Sequence, residues 1–170
     1  VTEEIKDTSG SIMFSLDDKF IFYSKLDDNH RPRKIFRHEI GKSVQDDILI
    51  FEEKTKAFTV GIGLTSDEKY YLVTSSDHNT TEKYYFHVDE KIPEPKLIKE
   101  REKGIIYSIN SWNNNFYMHT NKDAEDFKIL VSKNINSNQW EDFISAKNET
   151  LIGSLIFLNN WIIRTELTNA

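Results

Sequence analysis

Asp17-Asp18-Lys19-Phe20-Ile21-Phe22-Tyr23 is a polar turn running into an aromatic strand, and the chain writes this pattern four times. It returns as Asp67-Glu68-Lys69-Tyr70-Tyr71-Leu72-Val73, as Asn113-Asn114-Asn115-Phe116-Tyr117-Met118 and as Asn159-Asn160-Trp161-Ile162-Ile163. The first bulky residues, Phe20, Tyr70, Phe116 and Trp161, are 50, 46 and 45 residues apart, which is the period of a repeat architecture and not of chance similarity.

Working outward from each turn, the same order of elements recurs. An apolar run precedes the turn: Ser11–Phe14, Phe58–Gly61, Ile105–Ser108 and Leu151–Ser154. A third run follows a polar loop, at Lys34–His38, Lys83–Val88 and Phe127–Val131, and a fourth closes the unit at Ile48–Phe51, Lys96–Ile98 and Trp140–Ile144. The runs are short, rich in β-branched and aromatic residues, and bounded by Asp, Asn, Gly or Pro, so they read as strands. Four antiparallel strands per unit make a propeller blade, whose faces pack on its neighbours around a central channel. The expected fold is all-β: a partial β-propeller with blades at about 11–54, 57–100 and 104–147 and a half-blade at 150–167, together a fragment, 1–170, of one domain. A β-sandwich would use the same strands and differ in assembly. At the blade period, Phe20, Phe22, Tyr70, Phe116 and Trp161 are expected to fill the core between blades.

Composition narrows the function. The 170 residues include 11 Phe and 7 Tyr, too much bulky apolar material for a disordered chain. A net charge of -6, from 28 acidic and 22 basic residues mixed along the sequence, offers no basic stripe for a nucleic acid. The absence of cysteine removes disulfides, thiolate metal sites and a cysteine nucleophile together, and fits a cytoplasmic setting. No stretch approaches the ~20 apolar residues that span a bilayer, and the first residues do not resemble a leader, so neither membrane attachment nor secretion is expected.

Chemistry-bearing motifs are missing as well. No pair among the six glycines flanks a serine in the Gly-x-Ser-x-Gly elbow, so no catalytic residue is expected here. His30, His38, His78, His87 and His119 lack metal-site spacing, so no metal or cofactor is expected, and His38 and His87 read as hydrogen-bonding residues near strand ends. Glu52 and Glu53 are strand neighbours that point to opposite faces; they cannot act as an acid–base pair, and they read as a solvated strand end.

One segment carries a more specific likeness: Arg37-His38-Glu39-Ile40-Gly41, followed by Asp46-Asp47-Ile48-Leu49-Ile50-Phe51-Glu52-Glu53. It resembles the prolyl oligopeptidase family of serine peptidases, in its oligopeptidase B type, where a strand ending Arg-His is followed by a Gly turn, an acidic spacer and a strand closing on Glu-Glu. Arg101-Glu102-Lys103 and Asn121–Phe127 extend the likeness along the chain. The resemblance implies middle blades of a seven-bladed propeller that caps an α/β-hydrolase peptidase domain and admits only short peptides, with cleavage after basic residues. That peptidase domain and those short peptides are the implied partners, and the segment alone is expected to be inactive. The likeness places Phe22, Tyr23 and Lys25 nearest the bound peptide; strand alternation puts Tyr23 and Lys25 on one face and Phe22 on the other. A non-enzymatic propeller scaffold and a truncated relic of a peptidase are the alternatives. Unpartnered blade faces and an open half-blade are expected to make the chain self-associate.

Overall fold

The computed structural model describes residues 3–168, and among them every regular element is a strand apart from one short 3-10 turn, Val44–Asp46. The first sheet holds β1 (Thr8–Phe14), β2 (Phe20–Leu26), β3 (Pro32–Glu39) and β4 (Ile48–Glu52) in that spatial order. The second holds β5 (Thr59–Leu64), β6 (Tyr70–Ser76), β7 (Thr81–His87) and β8 (Lys96–Lys99), and the third β9 (Tyr107–Trp112), β10 (Asn115–Thr120), β11 (Lys128–Ser132) and β12 (Glu141–Ile144). A two-stranded hairpin, β13 (Thr150–Phe157) with β14 (Ile162–Thr168), follows. Each strand pairs antiparallel with its sequence neighbour, which rules out the crossed connections of a sandwich.

Aromatic and β-branched side chains weld the sheets face to face. Phe22, Ile35, Ile50, Val60, Tyr71, Val73 and Phe86 fill the space between the first and second sheets. Leu72, Tyr107, Ile109, Phe116, Met118 and Ile135 do so between the second and third, and Tyr117, Ile129 and Ile152 between the third sheet and the hairpin. Burial of this kind, at about 25 cal/mol per Å² of apolar surface, is what outweighs the entropy of ordering so many short strands.

The turns that made the repeat visible come in two lengths. In the first two sheets Ser15 and Thr65 donate backbone N–H groups to the carbonyls of Phe20 and Tyr70, both at 2.9 Å, and enclose four residues. Their hydroxyls accept the N–H of Phe20 at 2.9 Å and of Tyr70 at 3.1 Å and donate to Asp17 and Asp67, so the Ser/Thr-x-Asp spacing builds the turn. In the third sheet only Asn113 and Asn114 intervene between the paired Trp112 and Asn115. Both are left-handed, with φ of 50° and 57°, the geometry of a type I′ turn that asparagine tolerates. The hairpin also closes with two residues, since Leu158 donates to the Trp161 carbonyl at 2.9 Å.

This difference corrects the alignment of aromatic residues. Counted from the closing pair, Trp161 and Asn115 correspond to Phe20 and Tyr70, while Phe116 corresponds to Tyr71. Phe116 therefore points back at the second sheet, where its ring meets Tyr70 at 5.5 Å. Trp161 is not core either: it is 71% exposed, because among the described residues no further sheet lies against the outer face of the hairpin. Phe20 is half-buried beneath the Arg37 guanidinium, 4.4 Å from its ring centre. Phe22 and Tyr70 pack between sheets as expected.

Candidate functional site

Strand β2 carries the three residues expected nearest a peptide. Phe22 faces the second sheet and is buried, its ring 4.8 Å from Tyr71 and 5.7 Å from Phe86. Tyr23 faces the opposite way, stacks on Phe36 at 5.7 Å and is buried too. Lys25, opposite Thr8 and Lys34, is the one of the three that retains solvent access.

The segment that carried the family likeness turns out to organise two buried polar networks. In the first, Asp47 at the foot of β4 accepts the Tyr23 hydroxyl at 2.7 Å and pairs through its other oxygen with His38 Nδ1 at 2.6 Å. Gly41, at φ 87°, makes the bend that returns the chain from β3 toward Asp47, a conformation that costs a residue with a Cβ. Burial first, and then the Asp47 carboxylate, push the Tyr23 hydroxyl far above its ordinary pKa, so it remains a donor. The other imidazole nitrogen of His38, Nε2, faces a Glu3 carboxylate oxygen at 3.5 Å. With carboxylates on both sides, this histidine addresses no hydroxyl that it could activate, and the His–Asp pair has the geometry of a structural clasp.

The second network joins the sheets. Glu53, just beyond β4, is 5% exposed and not a solvated strand end. One carboxylate oxygen accepts the Thr55 N–H at 2.6 Å; the other accepts the Ser75 hydroxyl at 2.5 Å and Arg101 Nη2 at 2.6 Å. Arg101, beyond β8, also grips Glu82 of β7 through Nε at 3.1 Å and through Nη2, while Tyr84 donates to Glu82 at 2.8 Å. Its guanidinium lies 4.2 Å over the Phe58 ring. Desolvation raises the Glu53 carboxyl, but hydrogen bonds from Ser75, Arg101 and Thr55 outweigh it and hold the pKa at about 2. Glu82 is also lowered: desolvation raises it, and the bonds from Arg101 and Tyr84 overcome that. Three residues from the first sheet, the second sheet and the connection to the third thus share one ion cluster.

Sequence reasoning missed Glu53 because a strand terminus next to polar neighbours looks solvated. The signal that could have found it is Arg101, the one arginine in the connection from the second sheet to the third and a residue type suited to carboxylate binding. Of the other histidines, His119 stacks on Phe127 at 4.6 Å and reaches the Ile152 carbonyl at 2.7 Å, His87 lies edge-on to Tyr70 at 5.3 Å, and His30 and His78 are exposed. Among the described residues no cluster of three metal-ligating side chains occurs. Among those residues no helix is long and apolar enough to cross a membrane.

Known proteins share this architecture. Protease 2 of Moraxella lacunata is 35% identical over 111 residues, which is 65% of this chain and 16% of that protein. Oligopeptidase B from Trypanosoma brucei, in its closed form with covalently bound antipain, superposes with a TM-score of 0.92 at 22% identity, over 99% of this chain and 24% of that one. Oligopeptidase B from Leishmania major superposes at 0.89 with 20% identity, again over 99% and 24%. The chain thus spans a quarter or less of the length of these relatives. Residues 1–170 match throughout the family described as prolyl oligopeptidase, N-terminal β-propeller domain. The turn-and-strand repeat, the sheet order and the Arg37–Glu53 segment therefore have one explanation: the chain belongs to the prolyl oligopeptidase N-terminal β-propeller family.

Proposed function

We propose that this chain is the substrate-gating propeller segment of a cytosolic serine oligopeptidase that cleaves short peptides after basic residues. The observation that carries the reading is the 35% identity to protease 2, together with a fold built around the Arg37–Glu53 segment. In this reading the sheets are blades at about 11–54, 57–100 and 104–147, with a half-blade at 150–167, in one seven-bladed ring. The ring works by exclusion: a narrow channel and a closing interface with an α/β-hydrolase domain keep folded proteins and bulk water from the nucleophile. Lys25 is the residue best placed to meet a peptide, because Phe22 and Tyr23 are committed to packing within and between sheets.

The segment alone contributes no nucleophile elbow, so the purified chain is expected to release no fluorophore from a dibasic peptide substrate. A protein joining this propeller to a peptidase domain is expected to favour Arg or Lys over Pro at the cleavage site by at least tenfold in kcat/KM. Turnover by the chain alone that a serine-directed inhibitor abolishes would overturn the first expectation, and a preference for Pro the second.

Apolar side chains stand exposed on both outer faces: Ile12, Phe14 and Leu49 on the first sheet, and Ile156, Trp161 and Ile163 on the hairpin. Water-facing apolar area of this kind favours association. Light scattering at micromolar concentration is therefore expected to show a dimer or larger species, and a stable 20.0 kDa monomer would contradict this.

A further inference from the structure

Counted from the residue that shuts each hairpin, Phe22, Leu72, Tyr117 and Ile163 hold the same place in their sheets, two positions into the second strand. The first three turn to the following sheet and are buried against it. Ile163 is 45% exposed, since among the described residues no sheet follows the hairpin on that side. Ile162 packs on the third sheet, so strand alternation turns Arg164 and Glu166 inward with it and leaves Trp161, Ile163 and Leu167 facing out. A strand with one face in water ordinarily does the reverse and keeps its charges outside. The outer face of the hairpin is therefore built as a contact surface.

The complementary half of that contact stands open on the first sheet. The side of a sheet that receives its predecessor carries the row Ile62, Val73, Tyr84 in the second sheet and Ile109, Met118, Leu130 in the third. Val73, Ile109 and Met118 are buried there. In the first sheet the same row reads Ile12, Tyr23, Phe36, Leu49, and Phe14 begins the next row on that face. Tyr23 is buried, but Ile12 and Phe14 are 50% and 49% exposed, and Leu49 is exposed with them.

The contact of a sheet with its successor thus recurs along the chain, and one half of it is left over on the hairpin and the other on the first sheet. Leftover halves of one repeated contact match each other in position and polarity, as two like halves do not. Three sheets and a hairpin fill four positions in each copy, so two copies fill eight, within the roughly 4–8 that close a propeller ring. We propose that two copies of this chain join head to tail, the hairpin face of each seated on the first sheet of the other, so that two identical contacts close one ring. A contact between unlike faces either closes or runs on as a filament, and the rotation from sheet to sheet around a central channel is what favours closure. This inference rests on the association expected above and is independent of the peptidase reading.

Sedimentation equilibrium of the whole chain tests this, with a lysine placed on one face at a time. The wild-type chain is expected at twice 20.0 kDa. Trp161→Lys and Phe14→Lys are each expected to weaken the dimer about a hundredfold, the loss that follows removal of a central anchor, because either change spoils both contacts of the ring. An equimolar mixture of the two variants is expected to associate again, since the intact hairpin of one meets the intact first sheet of the other. Both side chains are exposed, so the separate variants are expected to keep their strand content by circular dichroism. Were a lysine to unfold the chain, serine at the same two positions gives the same pattern at smaller amplitude. A dimer sensitive to only one of the two substitutions would show like faces pairing, and a mixture that stays monomeric would show no head-to-tail contact; either result overturns the ring. Species that keep growing beyond two copies with concentration overturn its closure. A monomeric wild type overturns the expected association as well, whereas a dimer indifferent to both substitutions overturns the ring alone.

Discussion

Arg101→Met is expected to destabilise the chain by about 3 kcal/mol, because it strips the cation from two buried carboxylates that face one another. The side chains of Glu53 and Glu82 are 4% and 8% exposed, whereas that of Arg101 is 28% exposed, which keeps the cost at the lower end of the range for a broken buried pair. Methionine keeps an aliphatic side chain of similar length but removes the guanidinium over Phe58, so the loss combines the two ion pairs with that cation–π contact. The pH dependence follows from the direction of the Glu53 shift. Its folded pKa is depressed to about 2 from an ordinary 4.5, so its stabilisation is full above about pH 4.5 and is lost as pH falls toward 2. The urea midpoint of Arg101→Met is expected to fall well below wild type at pH 7, and the gap to narrow at pH 3, where the orphaned carboxylates take up protons. Coincident midpoints at pH 7, or a gap that widens in acid, would show that the cluster does not hold the sheets.

Phe22→Ala is expected to cost about 3–4 kcal/mol, the range for emptying an aromatic site in a packed interior. The ring touches Tyr71 and Phe86 of the second sheet, so its removal opens a cavity between two sheets that no local shift of one strand can close. Lys25→Ala on the same strand is expected to change stability by less than about 0.5 kcal/mol, since it retains solvent access and forms no ion pair among the described residues. Thermal melts of the two variants separate a packing role from a peptide-facing one. Were Phe22→Ala to melt with wild type while a full enzyme bearing it lost peptide affinity, Phe22 would belong to the substrate and not to the core.

Much of this architecture was legible before any coordinates. Alternation of period two, aromatic enrichment and Asp- or Asn-rich turns are local signals, and they placed the strands of the first three sheets within a few residues. Side-chain destination was harder, because it depends on parity and on what lies beyond the strand. Phe116 and Tyr70 look equivalent in sequence, yet they sit on opposite faces of their sheets and meet ring to ring. Glu53 looked solvated because its partner, Arg101, is 48 residues away, across an entire sheet. Tyr23 was recognisable as an important position, but its commitment to Asp47 and His38 arises from a return loop whose path only the fold defines.

The two turn lengths bear on how repeats of this kind are to be matched to one another. Ser15 and Phe20 enclose four residues, Trp112 and Asn115 only two, and the strands on either side remain in step. From closing pair to closing pair the intervals are 50, 45 and 46 residues, whereas spacing by aromatic residues gives 50, 46 and 45. The second scheme has the smaller apparent error in residue identity and the larger error in space, since one displaced position exchanges a strand's two sides. Homologous propellers are thus better superposed in sequence by the hydrogen-bonded pair that shuts each hairpin than by their most similar letters, and a gap is harmless wherever it lies wholly inside that pair.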